Sequence, residues 1–363
     1  MHKLINPHSL QQPPDKAWLA IVIVSWNVQN LLTNCLRTVE MEIKRSGIPA
    51  QVWVVDNASN DDTVAMVKQD FPTVKLIASQ KNLGFAGGNN VALRAIGFDN
   101  PTSNPPETLK VSKTCRGLNS ENLPKGVLLL NPDTELHPNS LTQLWHFFED
   151  TPQAGIVGAK LVYGDGSFQH GAFSLPGLWQ LAIELPPLPD WLSLPGRLLE
   201  SRLNGRYPRL WYDRQQPFRI GHPLGAVMLV RGEAIQQVGL LDERYHMYVE
   251  EIDWSKRITT VGWQVYCVPS AVITHLGGQS TEQIKTDSFI NLWRSRYLFY
   301  QKHYGWLKRR IAVWLVQTGM KRQQKQVLLE FKHQRINQDE FIKRLVAYQT
   351  VLKIWDVSAT RKF

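Results

Sequence analysis

VLLLNPDTEL, residues 127–136, runs four apolar residues into Asn131, Pro132, Asp133, Thr134 and Glu135. A short apolar run without alternation predicts a strand covered on both faces, the central strand of a parallel sheet, and Pro132 stops it. The polar corner then lies at the carboxyl end of the strand, the edge at which open α/β sheets bind ligands. Three earlier stretches have the same form. LAIVIVSWN (19–27) ends in Ser25, Trp26 and Asn27 and leads into helical spacing of Leu31, Leu32, Cys35, Leu36 and Val39. QVWVVDNASNDDTVAMV (51–67) gives a strand, a corner at Asp56 and Asn57, and a helix cap within Ser59 to Asp62. VKLIASQKNLGFAGGNNVALRAI (74–96) repeats the unit again. Alternating strands and helices with short links predict an α/β fold, a doubly wound and mostly parallel sheet that gathers Asn27, Asp56, Asn82 and Asp133 at one edge.

Those corners suit a nucleotide. Asp56 and Asn57 offer acceptors and donors to a base or ribose, or form a capping Asx-turn. In NLGFAGGNN, Gly84, Gly87 and Gly88 precede a helix, so backbone can approach a ligand and a helix N-terminus can face anionic groups. The spacing is not G-x-G-x-x-G, the glycines follow the third strand rather than the first, and no Walker lysine is present, which argues against hydride transfer and P-loop phosphoryl transfer. A lone strand-end carboxylate such as Asp133, with pyrophosphate oxygens completing the shell, is a way to hold Mg²⁺ or Mn²⁺. Such a cation neutralises a departing nucleoside diphosphate.

The 363 residues are 43% hydrophobic, enough for one large core or two modest ones. Cys35, Cys115 and Cys267 are far apart and in no metal-ligand spacing, which predicts free thiols in a reducing compartment. MHKLINPHSLQQPPDKAW has no apolar core of signal-peptide length, and no stretch reaches the roughly 18 apolar residues of a spanning helix, so a cytoplasmic location is expected. The net charge of +10 is uneven: from Arg294 onward Lys and Arg outnumber Asp and Glu by 16 to 4. WLKRRIAVWLVQTGMKRQQKQ (306–326) mixes those cations with Trp306, Ile311, Val313, Trp314, Leu315 and Met320. It reads as a helix on an anionic membrane surface or as an ordinary helix with a solvated basic face. A nucleic-acid partner is not expected, because no nucleic-acid-binding signature appears.

Downstream, GHPLGAVMLVRGEAIQQVGLLDERYHMYVEEIDWSKRI (221–258) predicts a strand over Val227–Val230 and a helix from about Gly232. Glu250, Glu251 and Asp253 then place three carboxylates within four residues. Mutual repulsion raises at least one pKa, a property of use to a general base; the other reading is an acidic first helical turn favoured by the dipole. VPSAVITHLGGQST (268–281) brings His275 to the end of another apolar run, before Gly277 and Gly278, where a satisfied structural histidine is equally good.

The set VSWN, VVDNASNDD, NLGFAGGNN and LLLNPDTEL resembles the bacterial family 2 glycosyltransferases, above all their rhamnosyltransferase-like members. The resemblance covers about residues 18–303 and implies a GT-A fold, with a nucleotide-sugar half (18–140) and an acceptor and catalytic-base half (141–303). A basic helical extension over 304–363 rests on composition alone. By resemblance the donor site comprises Ser25, Trp26, Asn27, Asp56, Asn57, Asn82, Gly84, Phe85, Gly87, Gly88, Asn89, Asn131 and Arg294. The family's metal motif is D-x-D; here Asn131 holds its first position and Asp133 keeps the carboxylate, and the rhamnosyltransferase-like branch carries this N-P-D form. Resemblance further implies Glu251 as base with Glu250 beside it, Asp253 orienting substrate or capping its helix, His275 near the metal or diphosphate, and Arg294 and Arg296 near phosphate. It implies an inverting transfer of sugar, L-rhamnose from dTDP-L-rhamnose, to a lipid-linked or polysaccharide acceptor with a divalent cation. A nucleotide-sugar-binding scaffold without turnover and a basic nucleic-acid-binding protein are the competing readings.

Residues 99–126 read as a polar surface loop. In 171–220, Pro176, Pro186, Pro187, Pro189, Pro195, Pro208 and Pro217 alternate with Trp179, Trp191 and Trp211, aromatics that either stack on sugar or lipid or fill the side of the core.

Overall fold

Strand β1 (Leu19–Ser25) shows why the first apolar run reads without alternation. Its odd residues Leu19, Ile21 and Ile23 enter one apolar cluster, with Leu32, Leu36, Leu144 and Phe148, and its even residues Ala20 and Val22 enter another, with Leu93, Ile96 and Trp254. Successive side chains of a strand point to opposite faces, so a sheet covered on both sides needs apolar residues at every position. The computed structural model describes residues 18–98, 123–185, 201–245, 247–277 and 285–356. After β1 come β2 (Ala50–Asp56), β3 (Lys75–Ala78), β4 (Gly126–Leu130), β5 (Thr134–Leu136) and β6 (Ala154–Val162). The two-residue pieces β7 (Phe168–Gln169), β8 (Ala172–Phe173), β9 (Phe218–Arg219) and β10 (His222–Pro223) follow, then β11 (Val227–Arg231) and β12 (Gln264–His275).

The main sheet runs β3-β2-β1-β4-β11-β6-β12-β5. Strands β1 to β4 are parallel where they pair, as are β6 and β12, whereas β11 is antiparallel to β4 and β6, and β5 to β12. The sheet is therefore mostly parallel, as expected. Helices α1 (Gln29–Ser46), α2 (Thr63–Asp70) and α3 (Gly84–Ile96) follow the first three strands; α4 (Ser140–Asp150), α5 (Leu178–Glu184), α6 (Arg209–Asp213), α7 (Gly232–Val238) and α8 (Glu250–Thr260) come later. Three long helices close the chain: α9 (Lys285–His303), α10 (Trp306–Lys332) and α11 (Gln338–Ile354). They share a third apolar cluster, with Trp293, Tyr300, Val316, Met320, Val351 and Trp355 packed against Leu181, Tyr245 and Val249. Gly319 lets α10 lie close to the segment after α5, since a Cβ there would sit 2.9 Å from Leu185 Cβ.

Local details refine the sequence expectation, and one departs from it. Thr134 to Leu136 form a short strand rather than an open corner, because His275, Thr274 and Ile273 pair with them. The cap ahead of α2 comes from Asp61, whose Oδ1 accepts from Thr63 N at 3.2 Å and Oγ1 at 2.5 Å. Trp211 packs into the second cluster beside Tyr207 and Phe218, whereas Trp179 is exposed. Cys35 and Cys267 are buried free thiols. Cys115, Gly278, Trp191, Pro186, Pro187, Pro189, Pro195 and the loop expected over 99–126, except its last four residues, lie outside the described residues.

Candidate active site

A cleft of about 300 Å³ opens along the carboxyl ends of β1, β2 and β4. Its floor and first bank are Ser25, Trp26, Asn57, Asn82, Gly84, Phe85, Asn131, Asp133 and His275; the opposite bank is Gly225, Met247, Tyr248, Glu250 and Glu251. The strand order explains the gathering, because a parallel sheet delivers every corner to one edge. Ser25 Oγ in this lining is buried without a hydrogen-bond partner, and so is Oδ1 of Asp56, its register neighbour on β2. Buried polar atoms without partners cost free energy, and a bound ligand is one way to satisfy them.

Glu250 and Glu251 open α8, and the chain reaches them through Tyr248 (φ 67) and Val249 (φ 74). Two successive left-handed residues, one of them β-branched, store backbone strain of the kind found at functional sites. Glu250 is buried with Oε2 unpartnered; burial and the neighbouring Glu251 charge hold its pKa well above the ordinary carboxylate range. Glu251 stands half-buried at the cleft, its side chain lying over Gly225, where a Cβ would meet Glu251 Cβ and Cγ at 3.6 Å. Desolvation pushes Glu251 up to about 7. Both carboxyls are thus shifted upward, so the pair holds a proton at a higher pH than ordinary carboxylates do, a property of use to a general base.

Across the cleft, Asp133 Oδ1 lies 3.5 Å from His275 Nε2. Asp133 Oδ2 accepts from Gly277 N at 3.1 Å, and its carbonyl accepts from Leu276 N. His275 Nδ1 lies 3.0 Å from Gln169 Oε1, and its Nε2 faces Asp133 and, at 3.5 Å, Asn131 Nδ2. Burial holds the imidazole pKa down, so the ring is neutral despite the adjacent carboxylate. A neutral imidazole oriented by an amide behind it, beside a carboxylate, is a donor set that fits a divalent cation. No group of three His, Cys, Asp or Glu ligands occurs among the described residues.

Several candidates take other places. Asp253 is fully buried and turned from the cleft: Oδ1 binds His303 Nε2 at 2.6 Å and Lys302 Nζ at 2.8 Å, and Oδ2 binds Arg257 Nε at 2.8 Å. These partners hold its carboxyl down at about 2. Asn27 latches the first two corners together, its Oδ1 accepting from Asn60 N at 2.7 Å and its N donating to Ser59 Oγ. Asp56 Oδ2 closes an Asx-turn with Ser59 N. Asn57 lines the cleft, but its amide is spent on the β3–α3 turn, accepting from Leu83 N and donating to Asn82 Oδ1 and Gly84 O. Gly88 makes room for packing: a Cβ there would lie 2.7 Å from Val24 Cγ1. Gly87 likewise faces Leu83 Cβ, at 2.9 Å, and Asn89 donates to Phe85 O inside α3. Arg296 is tied to Glu184 and lies over Trp293, while Arg294 stands exposed beside a neighbouring cavity. Gln169 and Gly225 had no sequence signal, one lying on a two-residue strand and the other in an unremarkable turn.

This is the layout of an α/β transfer enzyme, with a candidate cation pair and a candidate base facing each other at a strand-end cleft. The family described as glycosyltransferase like family 2 matches residues 14–289, and the chain belongs to that family. It is a glycosyltransferase, and its mostly parallel α/β sheet agrees with the fold that the resemblance implies. It is 27% identical over 291 residues to N-acetylglucosaminyl-diphospho-decaprenol L-rhamnosyltransferase of Mycobacterium tuberculosis, covering 79% of this chain and 86% of that relative. It is also 25% identical over 239 residues to the low-salt glycan biosynthesis hexosyltransferase Agl10 of Haloferax volcanii, covering 66% of this chain and 61% of that one. A solved structure of GalNAc-T7 with UDP, GalNAc and Mn²⁺ superposes with a TM-score of 0.46 at 16% identity, over 71% of this chain and 43% of that chain.

Proposed function

We propose that this glycosyltransferase moves L-rhamnose from dTDP-L-rhamnose onto a hydroxyl of a lipid-linked or cell-surface polysaccharide acceptor, with inversion at the anomeric carbon. The observation that carries the chemistry is the upward-shifted Glu250–Glu251 pair facing Asp133 and His275 across one cleft. The rhamnosyltransferase relative, aligned over most of both chains, supports the sugar and the class of acceptor.

Glu251 takes the proton of the acceptor hydroxyl as that oxygen attacks the anomeric carbon. The bond from that carbon to the diphosphate breaks in the same displacement, and its electron pair leaves with the nucleotide. Glu250, holding its proton, keeps a second negative charge away from the base. Asp133 and His275 would hold Mg²⁺ or Mn²⁺, which when bound supplies positive charge to the diphosphate. Ser25, Trp26, Asn82, Gly84 and Phe85 line the donor's bed, and Asn57 and Asn27 keep its corners in place.

A panel of nucleotide sugars assayed with Mn²⁺ or Mg²⁺, on the native chain, Asp133→Ala and Glu251→Gln, tests this. Consumption of dTDP-L-rhamnose alone, dependent on metal and on both residues, is the expected result. Tight binding of one donor without product in the presence of diverse acceptors would favour a scaffold.

The same reading places the protein on the surface that carries a lipid-linked acceptor. No helix among the described residues is long and apolar enough to cross a membrane. Helix α10 buries Ala312, Val313, Val316 and Met320 and turns Trp306 (65% exposed), Leu307 (57%) and Trp314 (64%) outward. Arg310, Lys321 and Lys325 share that exposed side, an arrangement that supports an interfacial contact with anionic lipid.

A further inference from the structure

Helix α8 carries Glu250 and Glu251 in its first turn, yet nothing within the helix fixes where that turn begins. Its N-cap position is Val249, with φ 74 and no side-chain hydrogen bond to the helix. Valine is among the poorest N-cap residues, and an uncapped helix end frays. Tyr248, just before it, is left-handed as well, at φ 67. Such conformations persist only where the surroundings hold them.

The hold comes from α9. Ser295 is buried, and its Oγ donates to the Met247 carbonyl at 2.9 Å, across 48 residues of chain. A serine inside a helix commonly donates back to the carbonyl four residues earlier, whereas this one spends its proton outside its own helix. The carbonyl it binds belongs to the peptide that enters Tyr248, and Met247 itself lines the cleft. Further along, the body of α8 is pinned by Asp253 on Lys302 and His303, and by Trp254 Nε1 donating to Gly239 O at 2.9 Å. Entry and body are thus held separately, and Glu250 and Glu251 lie between the two holds.

We infer that Ser295 is a positioning residue for the transfer: its bond to Met247 fixes the left-handed entry to α8 and so aims Glu251 at the acceptor hydroxyl. This role rests on Glu251 acting as the base proposed above. Ser295 does not line the cleft, so its loss disturbs the aim of the base and leaves the donor's contacts in place. Small misplacements of a reacting group are costly in rate, because the geometry of attack is what the site supplies. A serine that only filled the space between α9 and its neighbours would change melting and leave turnover alone.

Release of dTDP from dTDP-L-rhamnose by the full chain with Mn²⁺, with water as the acceptor, reads the effect without a chosen acceptor. Thermal melting confirms that each variant is folded. Ser295→Ala should lower kcat by about ten- to hundredfold with donor KM unmoved, and Ser295→Cys, whose thiol is a weak donor, should fall between it and the native chain. Added to Glu251→Gln, Ser295→Ala should cost nothing further, since a residue that acts through Glu251 has nothing left to aim. Hydrogen exchange should quicken at the amides of residues 247–252 in Ser295→Ala and stay native along α9. A lowered melting temperature with native kcat, a raised donor KM with native kcat, losses that multiply in the double variant, or native exchange at the entry would each overturn the inference. If Glu251→Gln is inactive while Ser295→Ala is fully active, the inference alone fails. If Glu251→Gln keeps native turnover, or the native chain consumes no donor, the reading of the base falls and the role of Ser295 with it.

Discussion

Within one turn of α8, Glu250 and Glu251 differ from Asp253 in every respect but charge. The glutamates face a cleft with no cation in contact among the described residues, and their carboxyls are pushed upward. Asp253, three residues along, is enclosed by Arg257, Lys302, His303 and the Tyr245 hydroxyl and is pushed down to about 2. The helix N-terminus favours negative charge at all three positions, so the dipole does not distinguish them. Partners do. A carboxylate that is buried and left unpaired is costly to the fold and useful to a reaction, whereas one ringed by cations is a clasp, here joining α8 to α9.

Glu251→Gln should produce the largest effect. Turnover should fall by about 10²–10⁴-fold, the ordinary contribution of a general base, with donor affinity retained. For the native enzyme kcat/KM should rise with pH through about 7, as Glu251 loses its proton. That rise should vanish in the variant. Full activity in Glu251→Gln would transfer the role to Glu250 and break the assignment drawn from burial.

Asp253→Ala should cost about 3–5 kcal/mol in urea unfolding, since it leaves buried cations uncompensated. Its folded pKa is depressed, so its stabilisation is complete above the unfolded value near 4 and is lost as pH falls towards 2. Asp253→Asn should flatten that acid limb. An unchanged melting curve for both variants would mean that α9 is held by its apolar contacts alone.

The contrast between these carboxylates was not legible in the sequence, where EEID presents three equivalent acids. The alternation of strands and helices and the corners at Asn82 and Asp133 were legible, because strand-end position follows from apolar runs and punctuation; Glu251 was reached through the family resemblance, and nothing local foretold the antiparallel β11 between β4 and β6. What separates Asp253 is contact with Lys302 and His303, about fifty residues downstream. Asn57 misleads in the same way: its residue type suits a ligand, but Leu83 N, Asn82 and Gly84 O use up its amide. Gln169, which orients His275, lies 106 residues from it in the chain. Residue type and local spacing report which groups are available, and long-range contacts decide which remain unspent.

A smaller effect sharpens the first comparison from the other side. Glu250 has a raised folded pKa, so its protonated form is compatible with burial and its ionised form is not. Stability from this group is therefore full below its unfolded pKa and declines as pH rises. Glu250→Gln should raise the melting temperature at pH 8 by about 2–4 °C per kcal/mol recovered, and leave it near the native value at pH 4. A variant that melts lower than native at pH 8 would mean that Glu250 makes a charged contact that burial does not explain.

The smallest effect carries the distinction between spent and unspent groups from polar to apolar side chains. On α10, Val313, Val316 and Met320 are covered by the third cluster, while Trp306, Leu307 and Trp314 on the same helix have no cover. Exposed tryptophans flanked by Lys321 and Lys325 fit a lipid surface, where each cation contributes about 1 kcal/mol towards anionic lipid. Lys321→Gln with Lys325→Gln should therefore weaken binding to vesicles containing anionic lipid by about tenfold or more, and raised salt should weaken native binding in the same way. Trp306→Ser with Trp314→Ser should weaken it further and leave the residual binding as salt-sensitive as before. Native binding that is equal for neutral and anionic vesicles would remove the cations from the contact, and no binding to either would make the outer face of α10 an ordinary solvated surface.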